Sequence, residues 1–245
     1  RFANTESHYG QGGLISNALA ASPTIPVYDD DGNYYFNQAD VTDGLGFLAN
    51  VLAVSEGTED RRKAMDIFTN NYLEFDITDD LMFRTSVGVS YNSNNIRLWR
   101  SSAVPNFTTL NYPATAAVTK TEAINWLNEN TLTYNKIFDE VHLFNGVAGF
   151  TAQKASFDRM SVGASDFPTE YVPFVSAGIV NAGTHTISEW SLLSMMARIN
   201  YSFDSRYMFT ATIRRDGSSR FGSNYKWGAF PSFSVGYNVS EEEFF

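Results

Sequence analysis

Residues 193–213 read LSMMARINYSFDSRYMFTATI, and their alternation decides the fold. Leu193, Met195, Ala197, Ile199, Tyr201 and Phe203 fall on one side of an extended chain, and Ser194, Met196, Arg198, Asn200 and Ser202 on the other. After Asp204–Arg206 the apolar side resumes with Tyr207, Phe209, Ala211 and Ile213. Period two sustained this far predicts paired strands with one apolar face, longer than the strands of an ordinary soluble sheet.

The same rule extends in both directions. Leu81, Phe83, Val87, Val89 and Tyr91 oppose Met82, Arg84, Ser86, Gly88, Ser90 and Asn92. Just before them Leu73, Phe75 and Ile77 alternate with Glu74 and Asp76, and only Thr78–Asp80 intervene, which predicts a tight hairpin. Leu132 and Tyr134 alternate with Thr131, Thr133 and Asn135 before Asp139 and Glu140 turn the chain into VHLFNGVAGFTAQKASF (141–157). The faces of that run are less clean, with Leu143 and Val147 opposite Phe144 and Phe150. A last run sets Phe233, Val235, Tyr237 and Val239 against Ser232, Ser234, Gly236 and Asn238. About seven meander strands of roughly ten or more residues are expected.

Connections alternate between very short turns, at Thr78, Asp139 and Asp204, and roughly thirty irregular residues after Tyr91 and again after Phe157. Membrane barrels carry this asymmetry, with short periplasmic turns and long extracellular loops. Tyr72, Tyr91, Trp126, Tyr134, Tyr201, Phe203, Tyr207 and Trp227 lie near strand ends, where interfacial girdles form. The expected class is all-β, an antiparallel transmembrane β-barrel segment. Two alternatives remain open at this point. One is a soluble β-sandwich ligand-binding module with a second sheet over the odd-numbered face. The other is a small eight-stranded barrel closing its first strand on its last.

The first sixty or so residues differ in kind. GGLISNALAAS suits a short helix, and PTIPVYDDDGNYYF is an extended, proline-marked stretch with a DDDG turn. Residues 41–71 read as partly helical or as a strand broken at EGTED. The chain is therefore divided into a loop-rich barrel-entry segment, 1–63, and a region of strands and loops, 64–245.

Of 245 residues, 43% are apolar and 15% aromatic but only 18% charged, lean in solvating charge for the surface that must be covered. A net charge of −10 without a basic stripe argues against a nucleic-acid partner. With no Cys, disulfides, thiolate metal sites and Cys nucleophiles are excluded. No apolar run is long enough for a membrane helix, and RFANTESHYG lacks the features of a signal peptide. His8, His142 and His185 are far apart and outside any HExxH spacing. There is no GxSxG elbow or Walker loop, and GQGG at Gly10–Gly13 follows no strand. Neither an enzyme nor a cofactor is expected. Asp29, Asp31 and Asn33 have the alternate spacing of a calcium loop, but Tyr34 stands where the sharp turn needs Gly and no Glu follows at the required distance. A solvated Asp–Gly turn is the expectation there.

The stretch RYMFTATIRRDGSSRFGSNYKWGAFPSFSVGYNVSEEEFF (206–245) resembles the SusC/RagA family of TonB-dependent outer-membrane transporters of Bacteroidota. Its most specific parts are RRDGSSRFG, Arg214 to Gly222, then WGAFPSFSVGY, Trp227 to Tyr237, and SEEEF. PTIPVYDDDGNYY (Pro23–Tyr35) and NNYLEFDITDDLMFRTSVGVSYN (70–92) also look like family segments. The resemblance implies part of a roughly 22-stranded barrel. It further implies an outer-membrane importer of oligosaccharides or peptides, working with a SusD-like surface lipoprotein and driven by TonB. The family's carboxypeptidase-like N-terminal domain, TonB box, plug and remaining strands are absent from this sequence, so the chain reads as an interior piece, with Phe245 a truncation point.

On that reading Arg214, Arg215, Asp216, Gly217, Ser218, Ser219, Arg220, Phe221 and Gly222 form a structural hairpin, guanidinium forks pairing with carboxylates to pin a loop at the barrel rim. Cargo or a partner would meet the aromatic loops, through Arg97, Trp99, Phe107 and Tyr112 in one and Phe167, Tyr171 and Phe174 in the other. The competing expectation is that these rings staple the loops together. Arg84, Ser86, Asn135, Arg198 and Asn200 are expected to line the lumen, and the opposite face to meet outer-membrane lipid.

Overall fold

The computed structural model describes residues 2–9, 14–21, 24–35, 50–104 and 113–242. The elements in order are β1 (Phe2–Tyr9), α1 (Leu14–Ala20), α2 (Val51–Gly57), β2 (Thr58–Thr78), β3 (Leu81–Arg100), β4 (Thr115–Phe138), β5 (His142–Ser165), β6 (Ile179–Phe203), β7 (Tyr207–Ser218) and β8 (Trp227–Tyr237). A 3-10 turn, Val239–Glu241, follows. The strands form one eight-stranded antiparallel meander in chain order, with β1 and β8 at its ends. Among the described residues no second sheet covers it, and its end strands do not pair. Neither the sandwich nor the small closed barrel is what the chain forms.

The sequence pattern undercounts the strands by one. Strand β1, FANTESHY, is polar on both sides apart from Phe2, so it carries no alternation to read; only its pairing with Asp60–Ile67 of β2 identifies it. The loops are also shorter than the expected thirty or so residues. β3 runs on to Arg100 and β4 begins at Thr115, while β5 reaches Ser165 and β6 starts at Ile179. The outer halves of these strands, such as Ser93–Asn95 and Thr119–Glu122, are polar on both faces and read as loop. EGTED is not a break: Gly57 ends α2, Thr58 opens β2, and residue 63 lies inside that strand.

The short turns follow from residues that tolerate the left-handed region. Asp204 and Ser205 have φ of 52° and 55°, and Arg206 N–H donates to Phe203 O at 3.0 Å. That is a type I′ turn, whose twist matches the flanking strands. Asp139 and Glu140, with φ of 49° and 62°, serve the same end of the sheet between β4 and β5.

Register decides the two faces. Phe83 stands opposite both Phe75 and Leu132; Leu132 opposes Ala148, Ala148 opposes Ala197, and Ala197 opposes Ile213. The apolar rows read from β2, β3, β4, β6, β7 and β8 therefore lie on one side of the sheet together with Phe144 and Phe150 of β5, whereas Leu143 and Val147 fall on the other. That face is uncovered: Val235 is 82% exposed, Ile199 45% and Phe209 43%. The buried side chains Ala53, Val54, Val104, Ala114, Ala116 and Ala164 cluster instead around the loop ends of the strands. Among the described residues nothing packs over this apolar face.

Candidate functional site

The apolar face ends in an aromatic belt at the short-turn end. Tyr134 meets Phe144 edge-on at 6.0 Å, and Phe203, Tyr207 and Tyr237 stack in sequence at 6.4 and 5.2 Å. His142 joins it, with its Nδ1 2.7 Å from the Tyr201 hydroxyl. The Tyr207 and Tyr237 hydroxyls donate to Glu242 at 3.1 and 3.0 Å, so the rings face the apolar zone while their tips reach charge beyond it. Trp126 and Trp227 lie on the same face toward the loop end. Tyr72 does not belong to either belt: it sits on the opposite face, beneath the Arg84 guanidinium at 4.4 Å.

On that opposite face the structure brings together Arg84, Ser86, Asn135, Arg198 and Asn200. An amide ladder crosses four strands. Asn145 donates to Asn135 at 2.6 Å, Asn200 to Asn145 at 2.7 Å, and the Thr210 hydroxyl to Asn200 at 2.9 Å. Arg198 donates to Thr212 at 3.2 Å, Arg84 pairs with Glu74 at 3.3 Å, and Ser86 reaches Glu129 at 3.5 Å. Higher on this face a shallow cavity of about 260 Å³ lies between β3, β4, β5 and β6, lined by Asn92, Asn125, Phe157 and Trp190, with Arg220 above.

The RRDGSSRFG residues divide between the two faces. Arg214 donates from Nε to both carboxylate oxygens of Asp216, at 2.8 and 3.0 Å, and from Nη2 to the buried Ser194 hydroxyl at 3.3 Å. Arg215 points the other way and lies 4.9 Å from the Trp227 ring. Arg220 lies over Trp190 at 5.4 Å. Among the described residues, Arg214 meets a carboxylate while Arg215 and Arg220 rest on indoles. Ser219 extends the sheet one step, its N–H donating to Ser191 O at 2.9 Å and its Oγ accepting from Ser191 N–H at 2.8 Å. Ser218 N–H donates to Lys226 O at 2.9 Å, closing the loop that holds Phe221 and Gly222.

Arg97 and Trp99 lie at the outer end of β3 and not in a loop, and that strand end and the residues after it are fastened to the β5–β6 loop. Trp99 meets Phe167 edge-on at 4.9 Å, and Arg97 lies over Phe174 at 5.4 Å while pairing with Glu59 at 2.5 Å. Glu170 accepts from the Ser101 hydroxyl at 2.5 Å, the Ser102 N–H at 3.0 Å and the Ser102 hydroxyl. Burial alone would raise the Glu170 carboxyl, but these three donors outweigh it and hold it below its ordinary value. Tyr171 is left 97% exposed. Phe107 and Tyr112 lie outside the described residues. Glu170 had no signal in the sequence, because a single loop carboxylate has no spacing to read; Trp190 was passed over because the outer half of β6 lacks alternation.

The DDDG segment is a turn that binds its own backbone. Asp29 Oδ1 accepts from Asp31 and Asn33 N–H at 3.1 and 2.8 Å, and Gly32 takes φ of 83°. Tyr34 donates to Glu56 of α2 at 2.6 Å, a bond that pushes the phenol up to about 12. His185 is paired with Asp158 at 2.9 Å near the outer end of β6, far along the sheet from His142, and His8 stands opposite Arg61 in the β1–β2 register.

No family model matches the chain. It is 33% identical over 239 residues, 96% of its own length, to TonB-dependent receptor P3 of Formosa agariphila, of which it covers 23%. It is 27% identical to the TonB-dependent receptor SusC of Bacteroides thetaiotaomicron, matching over its whole length and covering 26% of that protein. The chain thus spans about a quarter of the curated relatives it matches. Among solved structures it superposes on the RagAB peptide importer in the closed-closed state with a TM-score of 0.72, at 19% identity over 89% of this chain and 24% of that one. A second RagAB structure gives a TM-score of 0.70, at 20% identity over 76% of this chain and 21% of that one. The open meander is accordingly a segment of a larger antiparallel barrel wall, apolar belt on one side and amide ladder on the other. The chain is similar, over nearly its whole length, to parts of TonB-dependent receptors, SusC among them, and shares its fold with part of RagAB.

Proposed function

We propose that this chain forms part of the barrel wall of an outer-membrane importer of oligosaccharides or peptides, capped by a SusD-like surface lipoprotein and energised by TonB through parts outside this sequence. The observation that carries the reading is the register, which sets the apolar rows of seven strands, Leu143 and Val147 excepted, and the Tyr–Phe belt on one face and the Asn135–Asn145–Asn200–Thr210 ladder on the other. A lipid-facing band about 25 Å tall with aromatic girdles, backed by a polar interior, is the division that a spanning barrel requires. In this reading Arg84, Ser86, Asn135, Arg198 and Asn200 line the lumen.

The signature hairpin serves as a structural pin, since its arginines are engaged by Asp216, Ser194, Trp227 and Trp190 within the chain. The loop aromatics mainly hold the loops, and of the described rings in the β5–β6 loop Tyr171 is the one left most exposed to meet cargo or the lipoprotein. The test is uptake by cells carrying the full-length protein, offered fluorescent oligosaccharide and peptide pools with and without a protonophore. Accumulation of one pool that collapses with the protonophore is expected. Accumulation of neither, in cells whose outer membrane contains the assembled protein, overturns the reading.

A further inference from the structure

Arg215 is a charge in an apolar place. On the outward face of β6, β7 and β8, the odd positions 193–203, 207–217 and 227–237 hold one ionisable residue of the Lys, Arg, Asp or Glu kind, and it is Arg215. Met195 and Ala229 stand opposite it, Ile213 and Gly217 precede and follow it on its own strand, and the Trp227 ring lies 4.9 Å away on the diagonal. Because β6 and β8 flank β7 on both sides, these face neighbours are all supplied by this chain, and strands elsewhere in a larger barrel cannot change them. Among the described residues Arg215 makes no ion pair, whereas Arg214, one position earlier, is satisfied by Asp216 and Ser194 on the other face.

Its height is set by strand geometry. Arg215 follows Tyr207 of the lower belt by eight positions, about 27 Å along a strand. A tilt of roughly 40° reduces this to about 20 Å across the membrane. The Gly217–Trp227 row is two positions further on and falls at about 25 Å, the height of the apolar band. Arg215 therefore roots just inside the upper edge of that band, within reach of the headgroup layer for a side chain that extends its charged end to water.

We infer that Arg215, backed by Trp227, binds the phosphate of a lipid in the adjoining leaflet. The inference rests on the reading that this face meets lipid. A guanidinium fork matches a phosphate in two parallel hydrogen bonds, and the indole behind it leaves the outer donors free for that anion. The two arginines of the signature then have separate tasks: Arg214 fastens the hairpin from within, and Arg215 anchors it to lipid from without.

The test uses native mass spectrometry of the full-length protein in detergent, with diphosphoryl lipid A, the same lipid stripped of phosphates, or inorganic phosphate added. The wild type is expected to retain the phosphorylated lipid over the stripped one. Arg215→Gln should lower that retention about fivefold, and Arg215→Lys should recover part of it. Equal retention of the two lipids by the wild type, or undiminished retention by assembled Arg215→Gln, overturns the proposal; so does retention of inorganic phosphate without lipid. A spin label on Val235→Cys, in full-length protein with any cysteines outside this sequence replaced by Ser, reports separately on the face. If that label is accessible to aqueous relaxant rather than to oxygen, the membrane reading itself fails. If it lies in lipid while Arg215→Gln retains lipid normally, only the phosphate site fails.

Discussion

Trp227 packs its indole on the Cα of Gly217: a Cβ at position 217 would stand 2.8 Å from three of the ring carbons. The glycine is there for space, because its backbone conformation is an ordinary extended one and leaves the left-handed region to the turns. Gly217→Val is expected to displace the indole and destabilise the β7–β8 hairpin by about 1–3 kcal/mol, the cost of overpacking a tight contact. Denaturant unfolding of the full-length protein measures this. An unchanged midpoint would mean that the ring finds another seat at no cost.

The two faces respond oppositely to charge. Ile199 lies on the apolar face four residues from the short-turn end of β6, and Thr133 at the neighbouring level on the polar one. Ile199→Arg should cost about 2–4 kcal/mol if it faces the bilayer centre, whereas Thr133→Arg should be tolerated within about 1 kcal/mol. The readout is the fraction of full-length protein that assembles as a heat-resistant barrel. Equal yields from the two variants would remove the distinction between the faces.

The loop clamp at Glu170 is sensitive to acid. Its carboxyl is held below the ordinary 4.5 by the Ser101 and Ser102 donors, net of the raising effect of burial. A group with a lowered folded-state pKa stabilises the closed form fully above its ordinary value and loses that contribution as pH falls through the lowered one. Hydrogen exchange in residues 101–104 and 166–174 should therefore be flat from pH 7 to about 5 after correction for intrinsic rates, then rise in stronger acid. Glu170→Gln should raise exchange at neutral pH and flatten its dependence on acid. A variant that keeps the wild-type acid transition would show that another group controls it.

The amide ladder contributes modestly and cumulatively. Asn200 donates to Asn145 and accepts from Thr210. Asn200→Ala removes both bonds and leaves two partners to find others, which should cost about 1–2 kcal/mol in the unfolding midpoint. If Thr210→Ala in the Asn200→Ala background costs as much as it does alone, the ladder is a set of independent contacts rather than a coupled one.

How far the sequence could be read tracks where apolar residues had to face one way. Leu193–Phe203 and Tyr207–Ile213 announce their strands because every second side chain must match an apolar environment. The same logic fails for Phe2–Tyr9, for Ser93–Asn95 and for the outer half of β6, where neither face is consistently apolar and the strand is identified by the hydrogen bonds its neighbour supplies. Turns at Asp139 and Asp204 were legible because a left-handed backbone selects short polar residues. Arg97, Trp99, Phe167 and Phe174 could be singled out by type, yet which ring meets which, and that Glu170 ties Ser101 and Ser102, depends on loops brought together by the strands beneath them.

The sequence by itself determined the strand period, the apolar side of each strand and the family hairpin, since each is written in local order along the chain. Tertiary structure decided that the apolar rows coincide on one face with Leu143 and Val147 excepted, that Arg214 and Arg215 part to opposite faces with different companions, and that β1 and β8 do not pair with each other among the described residues. Register is the reason: shifting any pair by one residue would leave every strand's own pattern intact and yet turn its apolar row to the wrong side.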